Sequence, residues 1–158
     1  MTGGAGFIGS NLADELIKQG EEVIIIDNLS TGKKENLNPK AVFHEADIRS
    51  LEKIKPLFSG VDYVFHLAAF PRVQPSIEDP ATANDINLNG TVNVLIAARD
   101  AKVKRVIYSA SSSAYGDQTK MPLIEEMPAH PLSPYGLQKY VGELYCRLFT
   151  EIYGFPTV

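Results

Sequence analysis

Tyr135 and Lys139 stand four residues apart in Ser133-Pro-Tyr-Gly-Leu-Gln-Lys139, the separation that places two side chains one above the other on a helix face. A phenol beside an ammonium can work as an acid–base pair, because the ammonium and a helix N-terminus both favour the phenolate. Ser133 is the expected N-cap and Pro134 the first helical residue. A little upstream, Ser109-Ala-Ser-Ser-Ser-Ala-Tyr-Gly116 carries a run of hydroxyls, Ser111, Ser112 and Ser113 among them. A Y-x-x-x-K pair alone is commonplace. It gains meaning from the opposite end of the chain, Met1-Thr-Gly-Gly-Ala-Gly-Phe-Ile-Gly-Ser10. There Gly4, Gly6 and Gly9 read G-x-G-x-x-G, and Gly3, Gly6 and Gly9 read G-x-x-G-x-x-G. Either spacing allows a tight turn, the approach of a pyrophosphate to bare backbone, and close packing of the following helix on a sheet.

The elements that would position these groups follow in order. Apolar residues Ile8, Leu12, Ala13, Leu16 and Ile17 recur at helical spacing over residues 7–19, and Gly20 supplies a left-handed stop. Val23-Ile24-Ile25-Ile26 is a β-branched run suited to a strand buried on both faces, ending in Asp27. A carboxylate there can accept hydrogen bonds from both hydroxyls of an adenosine ribose and would repel a 2′-phosphate, selecting NAD over NADP; Lys33 and Lys34 count slightly the other way. Residues 28–40 form a polar loop with a Ser30-Thr31-Gly32 turn, long enough to fold over an adenosine. Val42-Phe43-His44-Glu45 is a short strand closed by Asp47-Ile48, residues 51–58 a brief helix, and residues 62–69 a strand ending in the small Ala68 and Ala69. Residues 70–80 carry three prolines and are expected to be irregular. Residues 81–102 form a long crossover helix interrupted by Asn87 and Asn89, whose amides call for polar partners. Arg105-Val106-Ile107-Tyr108-Ser109 is the next strand. In the last helix, Leu137, Val141, Leu144, Leu148, Phe149 and Ile152 are the expected buried side. Strand and helix alternate, which implies an α/β fold: a doubly wound parallel sheet with chemistry at the strands' C-terminal ends.

With 158 residues, 44% hydrophobic content and a net charge of −4, the chain reads as one globular unit, residues 1–158, without a nucleic-acid partner. It contains no apolar run of membrane length. Cys146 is the single cysteine and is expected as a core thiol, so no internal disulfide forms, and the cytoplasm is the default location. His44, His66 and His130 lack metal-ligand spacing; they are expected to be structural or solvated, and no metal is expected.

Taken together these residues resemble the extended short-chain dehydrogenase/reductase family, within it the NAD-dependent nucleotide-sugar epimerases and dehydratases of the UDP-glucose 4-epimerase kind. The resemblance implies a Rossmann domain binding NAD. Residues 2–10 (Gly3, Gly6, Phe7, Ile8 and Gly9 among them) would grip the pyrophosphate. Asp27 and Asn28, with the Ser30-Thr31-Gly32 turn, would meet the adenosine ribose, Asp47 and Ile48 the adenine, and Leu67, Ala68, Ala69 and Asn87 the nicotinamide half. Ser111, Tyr135 and Lys139 match the catalytic serine, tyrosine and lysine, Tyr135 and Lys139 touching cofactor as well; Ser111, Ser112, Ser113 and Tyr135 would face the sugar.

The resemblance also implies a mechanism. Tyr135 takes the proton of the sugar 4-hydroxyl as hydride leaves C4 for the nicotinamide, Ser111 holds the oxygen, and Lys139 grips the nicotinamide ribose. The 4-keto sugar then turns over before the hydride returns. Dehydratases of this kind place Asp-Glu after the catalytic hydroxyl, and decarboxylases place a glutamate second. Ser112 and Ser113 stand at those positions, leaving no acid to protonate a departing hydroxide. Alternatives are a UDP-glucuronate epimerase, a dehydratase or decarboxylase, or a non-catalytic NAD sensor, although sensors usually lose the tyrosine or lysine. A homodimer is expected at full length. The motif's register further suggests that the first strand lies outside these residues, and the resemblance implies the same of a substrate-binding half, so that the chain by itself is expected neither to retain NAD nor to epimerise a sugar.

Overall fold

The β-branched run forms β1 (Ile24–Asp27), which pairs in parallel with β2 (Val42–Glu45), and β3 (Tyr63–His66) pairs in parallel with β4 (Arg105–Tyr108). These strands belong to a computed structural model describing residues 1–158. Between the two pairs lie only Met1 and Thr2. Thr2 bridges Ile26 on one side and His66 on the other, both in parallel sense. At the far edge Thr157 bridges Val106. The order across the sheet is therefore β2, β1, Met1–Thr2, β3, β4, Thr157, the doubly wound arrangement expected from the alternation of elements. Met1 and Thr2 thus fill the central slot at the C-terminal ends of the strands on either side.

Alternation along β1 divides the core between the two faces. Ile25 meets Ala13 of α1 (Phe7–Lys18) and Val23, while Ile26 joins the larger cluster built on Val94 and Leu95 of α5 (Gly90–Asp100), Val64, Val106, Ile54 and Phe149. Gly20 ends α1 at φ +92°. The brief helix after β2 is α2 (Leu51–Ile54), which tightens into a 3₁₀ turn, Lys55–Phe58, around Pro56. No helix is long and apolar enough to cross a membrane.

Three expectations need correction. Residues 70–80 are not wholly irregular, because Val73–Glu78 forms α3. Pro75 falls in its first turn, where a missing N–H costs nothing, and Pro80 opens α4 (Pro80–Asn84), capped by Asp79. The long crossover helix is likewise broken by a π-helical turn, Asp85–Asn89, between α4 and α5. Finally, of the apolar side expected to be buried in α6 (Pro134–Tyr153), only Phe149 is fully buried. Gly136, Gln138, Lys139, Gly142, Cys146 and Phe149 point inward, whereas Leu137, Leu144, Leu148 and Ile152 are exposed. Buried Gln138 and Lys139 both have hydrogen-bond partners, to Asn87 and to the Ser109 carbonyl, which removes most of the cost of burying them. Hydrophobic spacing identifies a stripe but not what covers it.

His66 is structural, as expected. Its ring lies between Thr2 Oγ1 (2.7 Å from Nδ1) and Thr91 Oγ1 (2.9 Å from Nε2), tying the central slot to α5. Burial, with help from the Lys139 and N-terminal ammonium groups, pushes its pKa down from 6.5 to about 3. Between those values the unfolded chain binds a proton that the folded chain refuses, so stability is complete above the unfolded pKa and falls as pH decreases. Urea denaturation from about pH 7 to about pH 4 should show one extra proton of pH dependence, up to ~1.4 kcal/mol per unit, which His66→Gln removes. Equal slopes in the two proteins would contradict this role.

Candidate active site

The glycine turn owes its shape to the sheet beneath it. Gly3 has φ +74°, and a Cβ there would come within 2.6 Å of the Ala68 nitrogen. A Cβ on Gly9 would press on the Gly3 carbonyl and come within 2.8 Å of Gly4 Cα. Both positions exclude a side chain for reasons internal to the protein. Gly6 is different: its φ of −78° suits any residue, and its Cβ would meet nothing nearer than the Gly3 oxygen at 3.4 Å. Since Gly6 lines the cleft, its missing side chain leaves space for something outside the protein's own packing. α1 begins at this point with no side-chain cap and no acid in its first turn, so its free N–H groups are available to an anion.

Asp27 lies beside the turn at the end of β1. Its Oδ2 accepts the Ala5 N–H at 3.0 Å and its Oδ1 the Leu29 N–H at 2.8 Å. These bonds fix the carboxylate and leave further lone pairs for a ligand. Asn28 accepts the Ser30 N–H and donates to Asp47 Oδ2 at 2.9 Å. Arg49 grips Asp47 through both Nε and an Nη, and this hydrogen bonding holds the Asp47 carboxyl down at about 2. Lys33 pairs with Glu35. Ile48 packs on α5 where a Cβ at Gly90 would strike it. Asn93 Nδ2 donates to the Ile48 and Arg49 carbonyls at 3.0 and 2.9 Å. Asn93 escaped the sequence analysis, although it interrupts an apolar helix just as Asn87 does.

The same cleft, about 510 Å³, is walled further on by Leu67, Ala68 and Ala69, by Phe70, Pro71 and Arg72, and by Tyr135 and Lys139. Gly3, Gly6, Phe7, Ile8 and Gly9 of the glycine turn line it, as does every residue named beyond that turn as a cofactor contact except Asn87. That side chain is buried behind the wall: its Oδ1 accepts the Phe70 N–H at 2.7 Å, and its Nδ2 donates to the Phe70 carbonyl and to Gln138 Oε1. It shapes the wall instead of forming it. Arg72, at φ +80°, was assigned no contact from sequence; only the fold brings segment 70–72 opposite the glycine turn.

α6 starts as its sequence dictates, with Ser133 Oγ accepting the Gly136 N–H at 3.1 Å. Lys139 is 4% exposed; its Nζ donates to the Ser109 carbonyl at 2.8 Å and lies 4.7 Å from the centre of the Tyr108 ring. Burial lowers its pKa to about 8, so at neutral pH it still carries a positive charge at the cleft floor. Ser109 and Ala110 line the cleft, whereas Ser111, Ser112 and Ser113 sit in the turn just beyond, where Ser111 Oγ accepts the Ser113 N–H at 3.2 Å. One cleft thus combines an anion-ready helix start, a fixed acid and a tyrosine–lysine pair: the parts needed to hold a dinucleotide and move a proton beside it.

Comparison with known proteins finds relatives along the whole chain. A Methanocaldococcus jannaschii protein to which UDP-glucose 4-epimerase activity is ascribed is 48% identical over 158 residues, covering 98% of this chain and 51% of its own length. The Thermotoga maritima UDP-glucose 4-epimerase solved with UDP-glucose superposes with a TM-score of 0.96 at 42% identity, over 99% of this chain and 52% of that one. The Thermus thermophilus UDP-glucose 4-epimerase solved with NAD gives 0.94 at 36% identity, over 99% and 51%. The chain spans about half the length of the relatives it matches. The model of the NAD dependent epimerase/dehydratase family matches residues 1–158, and the chain belongs to that family.

Proposed function

We propose that the cleft holds NAD for a nucleotide-sugar 4-epimerase, which inverts the C4 hydroxyl of a UDP-hexose or its N-acetylated counterpart through transient oxidation at that carbon. The observation that carries this reading is the meeting of the glycine turn, Asp27 and the Tyr135–Lys139 pair in one cleft. The fit to NAD rests on Gly6, where an unobstructed Cβ position leaves the cleft clear. Bound there, NAD would supply a hydride acceptor that gives the hydride back.

The rest falls to this chain's own groups. The N–H groups at the start of α1 hold the pyrophosphate, and the fixed Asp27 carboxylate accepts from ribose hydroxyls while opposing a 2′-phosphate. Tyr135 takes the proton of the sugar 4-hydroxyl and later restores it. The Lys139 ammonium brings a positive charge to the same cleft, and Ser111 donates a hydrogen bond to the sugar oxygen. No carboxyl group follows Ser111 to expel water, which favours epimerisation over dehydration. UDP-sugars are suggested by the relatives. The outward leucines of α6 suit a second copy of the chain, as a homodimer, and the one cysteine, buried and unpaired, suits the cytosol.

Calorimetry on a protein of the relatives' length should give NAD at least tenfold tighter than NADP, about 1.4 kcal/mol. Gly6→Ala should weaken NAD binding by a similar factor with little change in melting temperature, whereas Gly9→Ala should lower the melting temperature because its Cβ strikes backbone. Equal NAD affinity in Gly6→Ala and wild type would remove the cleft assignment. For the reaction itself, a UDP-hexose should yield its C4 epimer without net NADH, and Tyr135→Phe should slow this by roughly 10² to 10⁴. A 4-keto-6-deoxy product, or undiminished turnover in that variant, would refute the mechanism. Leu144→Glu combined with Leu148→Glu should convert a dimer to monomer in sedimentation equilibrium; an unchanged mass would place the subunit contact elsewhere.

A further inference from the structure

The first turn of α6 has few donors to satisfy. Pro134 has no N–H, the Gly136 N–H goes to Ser133 Oγ, and the Leu137 N–H goes to the Ser133 carbonyl at 2.9 Å. The remaining one is the N–H of Tyr135 itself. It donates at 3.0 Å to Ser76 Oγ, a side chain from α3 lying 59 residues earlier in the sequence. Ser76 is completely buried, and its own proton goes to the Val73 carbonyl at 2.6 Å. Its hydroxyl is thereby oriented, with a lone pair left for Tyr135. α3 in turn follows directly on Phe70, Pro71 and Arg72 of the cleft wall. A second tie, from Gln138 through Asn87 to Phe70, fixes the next part of the helix against the same segment.

We propose that Ser76 is a positioning residue for Tyr135: its hydroxyl, reaching across from α3, fixes the backbone from which the phenol extends into the cleft. The proposal rests on Tyr135 being the acid–base group of the reaction proposed above. A group that exchanges a proton with substrate must keep a hydrogen-bonding distance through both halves of the reaction, and small displacements at such a group lower rate without weakening substrate binding. Loss of the Ser76 hydroxyl leaves a half-buried N–H without its acceptor and frees the first turn to shift. Neither consequence touches the glycine turn or Asp27, which hold the nucleotide.

The test is made in the full-length protein with NAD bound. Ser76→Ala should lower kcat for UDP-hexose epimerisation about tenfold, the scale of one lost hydrogen bond, with KM and NAD content unchanged. In a Tyr135→Phe background the same substitution should cause no further loss, because the residue through which it acts has gone. Amide hydrogen exchange, which does not depend on the reaction catalysed, should be at least tenfold faster at the Tyr135 N–H in Ser76→Ala and unchanged at Lys139. An equal loss of kcat in both backgrounds, a rise in KM with kcat intact, or unaltered exchange at Tyr135 would each overturn the positioning role. Faster exchange at Tyr135 in a protein that epimerises no UDP-hexose would uphold the Ser76–Tyr135 link and refute the reaction instead.

Discussion

The Thr2 N–H donates to the Phe65 carbonyl at 3.0 Å, the Leu67 N–H returns to the Thr2 carbonyl at 3.1 Å, and the Gly3 N–H donates to the Ile26 carbonyl at 2.9 Å. Through these bonds a two-residue segment holds the β1–β2 and β3–β4 pairs in one sheet and delivers the chain to the glycine turn at a set height and angle. From there the positive φ of Gly3 turns the backbone over the ends of the strands, and Gly9 lets α1 close down behind it. The cleft exists because the turn is pinned on both sides. Asp27 reinforces the same point from β1 by accepting the Ala5 N–H.

Polar groups buried behind the cleft form the second layer of this design. His66 links Thr2 to Thr91, Asn87 links Phe70 to Gln138, and Lys139 reaches the Ser109 carbonyl. No buried side-chain nitrogen or oxygen lacks a partner. Each group would cost about 1 to 3 kcal/mol if orphaned, so each bond constrains the position of the element at its far end. Asn87 sits within a π-helical turn, which shifts its register relative to the α-helices on either side. The cleft wall at Phe70 is consequently held by a helix that does not itself reach the cleft.

α6 has two unlike faces. Glycines and hydrogen-bonded polar residues face the sheet and let the helix lie close enough for Lys139 to occupy the cleft floor. The leucine stripe that ordinary amphipathic reasoning would turn inward faces solvent in this chain. The inward face serves the position of Tyr135 and Lys139, and the outward face is left exposed. Periodicity alone does not say whether a neighbouring element covers such a stripe, because the spacing of apolar residues is the same in either case.

Local chemistry made much of the protein legible in its sequence. The glycine spacing, the acid after a β-branched run, the Ser-Pro helix start and the four-residue step from Tyr135 to Lys139 each depend on neighbouring residues alone, and each took the expected form. The helical form of residues 73–78, the π-helical turn at Asn87 and the inward face of α6 could not be read in the same way. They depend on contacts between segments far apart in the chain, such as Ser76 with Tyr135 and Asn87 with Gln138. The sequence by itself determined which groups could bind a dinucleotide and carry a proton. Tertiary structure alone decided which of them share a cleft, because a hydrogen bond spanning 51 or 59 residues leaves no periodic trace in the sequence.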